Sequence, residues 1–273
     1  MAVWWVLRVA DTFPWGKNLV KVAAYQAPLL PSGSMEAVAL IAREVRRCEA
    51  AGVDLLCCPE GVLGGLADNA AKPGEIALGV ESGQLADALA PLASDTVATI
   101  VGFTELSPTG DFFNSAALFH RGLVAGVYRK LHPAIRRSVY RPGEQVPVFT
   151  VGGLTFGIVI CYDSTFPELA RSMALRGAAA LFVPTNNALP AGRADVSGEA
   201  RMTDVCTATE TGMWVVRADV AGRAGGLVSQ GSSAIVAPGG TVVRSARRLA
   251  AELLMADIGM PSRPAGSTAE RSV

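Results

Sequence analysis

The chain has 273 residues, half of them hydrophobic, with 24 Lys and Arg against 24 Asp and Glu. That length buries a large core in one domain, and a formal charge near zero gives no electrostatic footprint for nucleic acid or for a membrane surface. Five cysteines without paired spacing give no disulfide framework, and two histidines leave too few ligands for a Cys/His zinc site, so a reducing, cytosolic setting is expected.

At the N-terminus Trp4-Trp5-Val6-Leu7 is broken by Arg8 and Asp11, so residues 1–20 read as a loosely held extension rather than a signal peptide or a membrane span. Lys21 to Gln26 is a first strand. Ser34 can cap a helix whose Val38, Ile41, Val45 and Cys48 recur at spacings of three and four, closed by Gly52. Val53 to Cys58 is the next strand, on which the adjacent Cys57 and Cys58 face opposite sides. A helix is expected around Gln84 to Leu92 and a strand over Val97 to Thr104. Ser115 to His120 and Leu123 to Arg129 form a hairpin about Arg121-Gly122, and Pro147 to Val151 with Leu154 to Cys161 form a second over Gly152-Gly153. Pro167 and Glu168 open a helix that Gly177 follows. Ala179 to Val183 is strand, Val196 to Thr211 helix, and Met213 to Ala218, Ser232 to Ala237 and Thr241 to Val243 are late strands. Residues 21–260 thus form one α/β domain of mixed sheets covered by helices in more than two layers, and 261–273 a tail.

Three polar residues stand at the exits of apolar strands. Glu60 follows Val53 to Pro59, Lys130 follows Val124 to Arg129, and Cys161 follows Ile158-Val159-Ile160. Strand C-terminal ends are where α/β folds place ligands. Brought together, the three form a nucleophile, a base that takes its proton, and a cation for a developing oxyanion, which is acyl-transfer chemistry needing neither metal nor organic cofactor. Cys48 and Cys206 read as small core residues.

Cys57-Cys58-Pro59-Glu60-Gly61, Tyr128-Arg129-Lys130-Leu131-His132-Pro133 and Gly157 through Cys161-Tyr162-Asp163 to Glu168 resemble, in order and spacing, the three motifs of the nitrilase superfamily of carbon–nitrogen hydrolases. The resemblance runs from Lys21 to Ile258. It implies a four-layer αββα sandwich that assembles as a homodimer or higher homo-oligomer and acts on a small molecule. It also implies Glu60 as general base, Lys130 as stabiliser of the tetrahedral intermediate and Cys161 as nucleophile, with the backbone N–H of Tyr162 as a second oxyanion donor. The Asp163 after Cys161-Tyr162 resembles the amidase and carbamoylase branches, where nitrilases usually carry Trp-Glu. The implied activity is therefore amide hydrolysis with release of ammonia; N-carbamoyl amide or ureido acid hydrolysis, nitrile hydrolysis and a non-catalytic scaffold role are the rivals.

Two departures concern substrate. Many amidase-type members carry a second glutamate about six residues before a Pro-Gly; here that position, before Pro142-Gly143, is Arg136, which is either a reader of a substrate carboxylate or a solvated loop charge, and Glu144 is no obvious substitute. The segment after Ala179 to Val183 lacks the tryptophan common there and offers Asn187 as a candidate for substrate contact.

Overall fold

In β1 (Trp15–Pro28) successive side chains enter two different apolar layers: Val22 and Ala24 face one, Ala23 and Tyr25 the other. β2 (Leu55–Cys57) and β3 (Ala98–Leu106) repeat the alternation, and Cys57 and Cys58 part accordingly, one into each layer. A sheet buried on both faces requires such unbroken apolar runs. The computed structural model describes residues 15–261 other than Arg136 and Ala194. Most of the expected N-terminal extension, residues 1–14, and the tail beyond Pro261 lie outside the described residues.

The outer layer on this first sheet is made by α1 (Glu36–Ala51) and α2 (Gln84–Leu89), whose Ile41, Val45, Cys48, Leu85 and Leu89 pack with Ala23, Leu56, Val101 and Phe119. Burying such a side chain fully is worth roughly 1.5–3 kcal/mol. α1 starts at Glu36; the Ser34 hydroxyl accepts the Glu36 N–H at 3.3 Å, and Gly52 closes the helix in the left-handed conformation. β4 (Phe112–His120) and β5 (Leu123–Arg129) extend the sheet as a hairpin.

The second sheet begins with β6 (Val148–Val151) and β7 (Leu154–Ile158), followed by α3 (Pro167–Leu175), β8 (Ala180–Pro184), the two-residue β9 (Leu189–Pro190) and α4 (Ser197–Thr211). Then come β10 (Trp214–Ala218), β11 (Val220–Ala224), β12 (Leu227–Ser229), β13 (Ala234–Val236), β14 (Val242–Ser245) and β15 (Glu252–Pro261). The first sheet runs β5-β4-β3-β2-β1-β11-β12-β9 with β15 also on β1; the second runs β14-β13-β10-β8-β7-β6. Val22, Leu55 and Ile100 meet Phe156, Phe182, Val216 and Ile235 between the sheets, while Leu169, Met173 and Ala208 bring α3 and α4 to the second sheet. The result is the αββα sandwich.

Several expectations need correction. β1 starts at Trp15, not Lys21, because β15 pairs along it from Glu252 opposite Gln26 to Pro261 opposite Trp15. β9, β11, β12 and β15 had no strand reading; Gly222, Glu252 and Asp257 interrupt their apolar patterns, and pairing holds them instead. β7 ends at Ile158, so Cys161 lies three residues past the strand, in a 3₁₀ turn. Cys206 is exposed rather than core: α4 turns Asp204, Thr207 and Ala208 inward, and residue 206 falls outside that stripe. No helix among the described residues is long and apolar enough to cross a membrane.

Candidate active site

Glu60 leaves β2 on a loop laid directly over β3. A Cβ on Gly102 would stand 2.3 Å from the Pro59 carbonyl oxygen and 2.6 Å from the Gly61 nitrogen, so only glycine lets the two backbones approach this closely. The loop carries Glu60 inward at 2% exposure. Its Oε1 accepts from Lys130 Nζ at 2.6 Å and from Asn114 Nδ2 at 2.8 Å, and its Oε2 accepts from the Asn186 backbone N–H at 3.0 Å. Lys130, 3% exposed, follows β5 directly. Its backbone N–H donates to the Asn114 carbonyl, and its own carbonyl accepts from Gly143, whose absent side chain leaves room for Arg129.

Cys161 has φ +47°, a left-handed conformation rare for a side chain other than glycine's. Two buried groups hold it there. Asp163, fully buried, accepts from the Ile160 N–H at 3.3 Å, the Tyr128 hydroxyl at 2.7 Å and the His132 N–H at 2.8 Å, with His132 Nδ1 at 3.0 Å. It therefore ties the cysteine turn to the segment carrying Lys130. Arg217, inside β10, donates to both oxygens of Asp204 on α4 at 2.6–3.1 Å, to Thr185 Oγ1 at 2.7 Å and to Ser164 Oγ at 3.1 Å. Ser164 Oγ donates to the Cys161 carbonyl at 2.7 Å, and the Thr185 carbonyl accepts the Glu60 N–H at 3.3 Å. One guanidinium thus connects the cysteine turn and the glutamate loop.

The electrostatics follow from burial. Burial and then the negative charge of Glu60 push the Cys161 thiol up to about 12, against the pull of Lys130 and Arg217, so the resting group is a protonated thiol. Burial alone would push the Lys130 ammonium down; its negative neighbours, Glu60 foremost by charge and hydrogen bond, hold the ammonium above its ordinary range. A thiol kept protonated beside a buried carboxylate and a fixed cation needs proton removal at the moment of attack and has the groups at hand to receive both proton and oxyanion.

The structure brings Asn187 to Cys161: Cys161 Sγ donates to Asn187 Oδ1 at 3.7 Å, while the preceding residue, Asn186, contacts Glu60. The Tyr162 side chain is exposed and sits edge-on to Phe166, which stacks on His132. Arg136 lies outside the described residues. A cavity of about 150 Å³ opens beside Asn187, lined by Leu189, Val196, Asp219 and Gln230 among others. A larger one of about 760 Å³ is lined by Glu105, Phe113, Arg129 and Glu144, and neither cavity includes Glu60, Lys130 or Cys161 in its wall.

The family model described as carbon-nitrogen hydrolase matches residues 21–263. The chain belongs to the carbon–nitrogen hydrolase family. It is similar to an (R)-stereoselective amidase from Pseudomonas sp, 32% identical over 202 residues that cover 73% of this chain and 71% of that one. Among solved structures, a mutant of the amidase from Nesterenkonia sp. AN1, bearing the acetamide moiety of fluoroacetamide on its active-site cysteine, matches with a TM-score of 0.73 at 25% identity. That match covers 90% of this chain and 92% of that one. A glutamine-dependent NAD+ synthetase from Acinetobacter baumannii shares the fold, with a TM-score of 0.76 at 20% identity over 88% of this chain, which spans 45% of that protein's length.

For this carbon–nitrogen hydrolase, sequence reasoning passed over Asn114, Asp204, Arg217, Asp219 and Ser232. Arg217 had a signal, a charge inside the apolar run Trp214 to Ala218, but its partner Asp204 lies on the preceding helix.

Proposed function

We propose that the chain hydrolyses a small amide, R-CO-NH2, to a carboxylic acid and ammonia through a thioester on Cys161. The observation that supports this best is a buried carboxylate sharing a 2.6 Å ion pair with a buried ammonium, both acting electrostatically on one thiol. Glu60 takes the thiol proton as Sγ bonds to the amide carbon, and the carbonyl π electrons move onto oxygen. Lys130 and the Tyr162 N–H stabilise that oxyanion. As the carbonyl re-forms, the C–N bond breaks and the nitrogen leaves as ammonia with the proton from Glu60. Water then adds to the thioester carbon, giving its proton to the same carboxylate. The C–S bond breaks, the acid departs, and the proton returns to sulfur. A thiol pushed up to about 12 suits this sequence, because the thiolate exists only while the base holds its proton. The solved amidase whose active-site cysteine carries an acetamide moiety supports a nucleophilic cysteine by similarity.

The test is ammonia release from a panel of amides, ureido acids and nitriles by the wild type and by Cys161→Ala. Amide turnover by the wild type and none by the folded variant is expected. A wild type that keeps full turnover after confirmed alkylation of Cys161 overturns the assignment.

A further inference from the structure

We propose that Asn187 reads the amide nitrogen of the substrate, and so sets the site to carboxamides over esters and nitriles. The inference rests on the amidase reading and deepens it.

Asn187 has one orientation. Its Nδ2 donates to Asp219 Oδ2 and to Ser232 Oγ, both at 3.2 Å, and its backbone N–H donates to Asp219 Oδ1 at 3.0 Å. Ser232 Oγ spends its own hydrogen on Asp219 Oδ2 at 2.7 Å, so toward Asn187 it can only accept. The Val220 N–H also converges on Asp219 Oδ1 at 2.8 Å, and Asp219 is fully buried. Flipping the Asn187 amide would turn its oxygen onto a carboxylate and a hydroxyl lone pair. The carbonyl oxygen is therefore locked outward, and the group it meets there is the Cys161 sulfur.

A fixed acceptor beside a nucleophile discriminates among leaving groups. In the resting site the S–H donates to it. When Glu60 takes that proton and sulfur bonds to carbon, the acceptor loses its donor, and the substituents of the new tetrahedral carbon come into its reach. An amide nitrogen brings an N–H that replaces the lost S–H. An ester presents an oxygen lone pair to the Asn187 oxygen, and a nitrile carries no hydrogen on nitrogen. A site whose polar atom is matched only by an N–H donor disfavours analogues that lack it.

The experiment compares kcat/KM for an amide and an ester of one acyl group, in the wild type, in Asn187→Ala and in Ser232→Ala, each checked for fold by thermal melting. In Asn187→Ala the amide value falls about 10- to 100-fold, the range of one hydrogen bond to a reacting group, while the ester value holds or rises. Ser232→Ala loosens the lock and moves the ratio the same way by less. Parallel losses for amide and ester, or an unmoved ratio in both folded variants, overturn the assignment. A wild type that cleaves the ester but releases no ammonia from any amide refutes the amidase reading itself, a different result from an unmoved ratio.

Discussion

Replacing Arg217 by Met removes the cation joining the cysteine turn to the glutamate loop and strands Asp204. Arg217 and Asp204 are 2% and 1% exposed, and the pair is bidentate, with further guanidinium donors on Thr185 and Ser164. Breaking such a pair from one side costs about 3–5 kcal/mol, because the partner charge stays buried alone. At roughly 2–4 °C per kcal/mol for a chain of this size, melting falls by roughly 6–20 °C. The double variant Arg217→Met/Asp204→Leu removes both charges and returns stability to within about 1 kcal/mol of wild type. Activity separates from stability at this point. In both variants Ser164 and Thr185 lose the guanidinium that holds them, and a misplacement of the reacting groups on the order of 1 Å costs about 100-fold in turnover. Thermal melts and ammonia release on the single and double variants make the comparison. A double variant that regains both wild-type melting and wild-type turnover would refute the claim that the guanidinium aligns the site.

Lys130→Ala leaves the buried Glu60 without its cation and lowers melting as Arg217→Met does, and in the folded variant kcat falls about 100- to 1000-fold, as loss of an oxyanion donor does; a rate within a few-fold of wild type removes the lysine from the mechanism. Asp163→Asn puts an NH2 donor among the N–H and O–H groups of Ile160, Tyr128 and His132, all of which donate to residue 163. It is expected to destabilise by about 1–3 kcal/mol for a buried group left unmatched and to lower turnover, and unchanged melting and activity would show that the carboxylate is not the link between the two loops. Burial leads the causes that hold the Cys161 thiol up at about 12. In the wild type, alkylation of Cys161 followed by peptide mass should therefore keep rising with pH beyond the ordinary thiol value of 9.0. A plateau near that value contradicts a desolvated thiol.

Glu60, Lys130 and Cys161 were legible because each is a polar residue following an apolar run, and strand ends are fixed by chain direction. The apolar run Val22-Ala23-Ala24-Tyr25 was legible as a strand, but which layer each side chain enters was not. What escaped the sequence is held by long-range pairing. β15 is a strand because β1 offers it an edge, despite Glu252 and Asp257 in its pattern. Asn114 lies one residue before the strand expected from Ser115, and its contact with Glu60 spans 54 residues. Asp219 and Ser232, which lock Asn187, lie 32 and 45 residues from it. No local period encodes such contacts; they exist only once the sheets are stacked.

The decisive measurement is rapid-quench mass spectrometry of the wild type turning over a slow amide, with peptide mapping and with hydroxylamine as a competing acyl acceptor. The thioester mechanism predicts an acyl group on the peptide containing Cys161 and, with hydroxylamine, the hydroxamate in place of part of the acid. Steady ammonia release with no adduct on that peptide and no hydroxamate would contradict it.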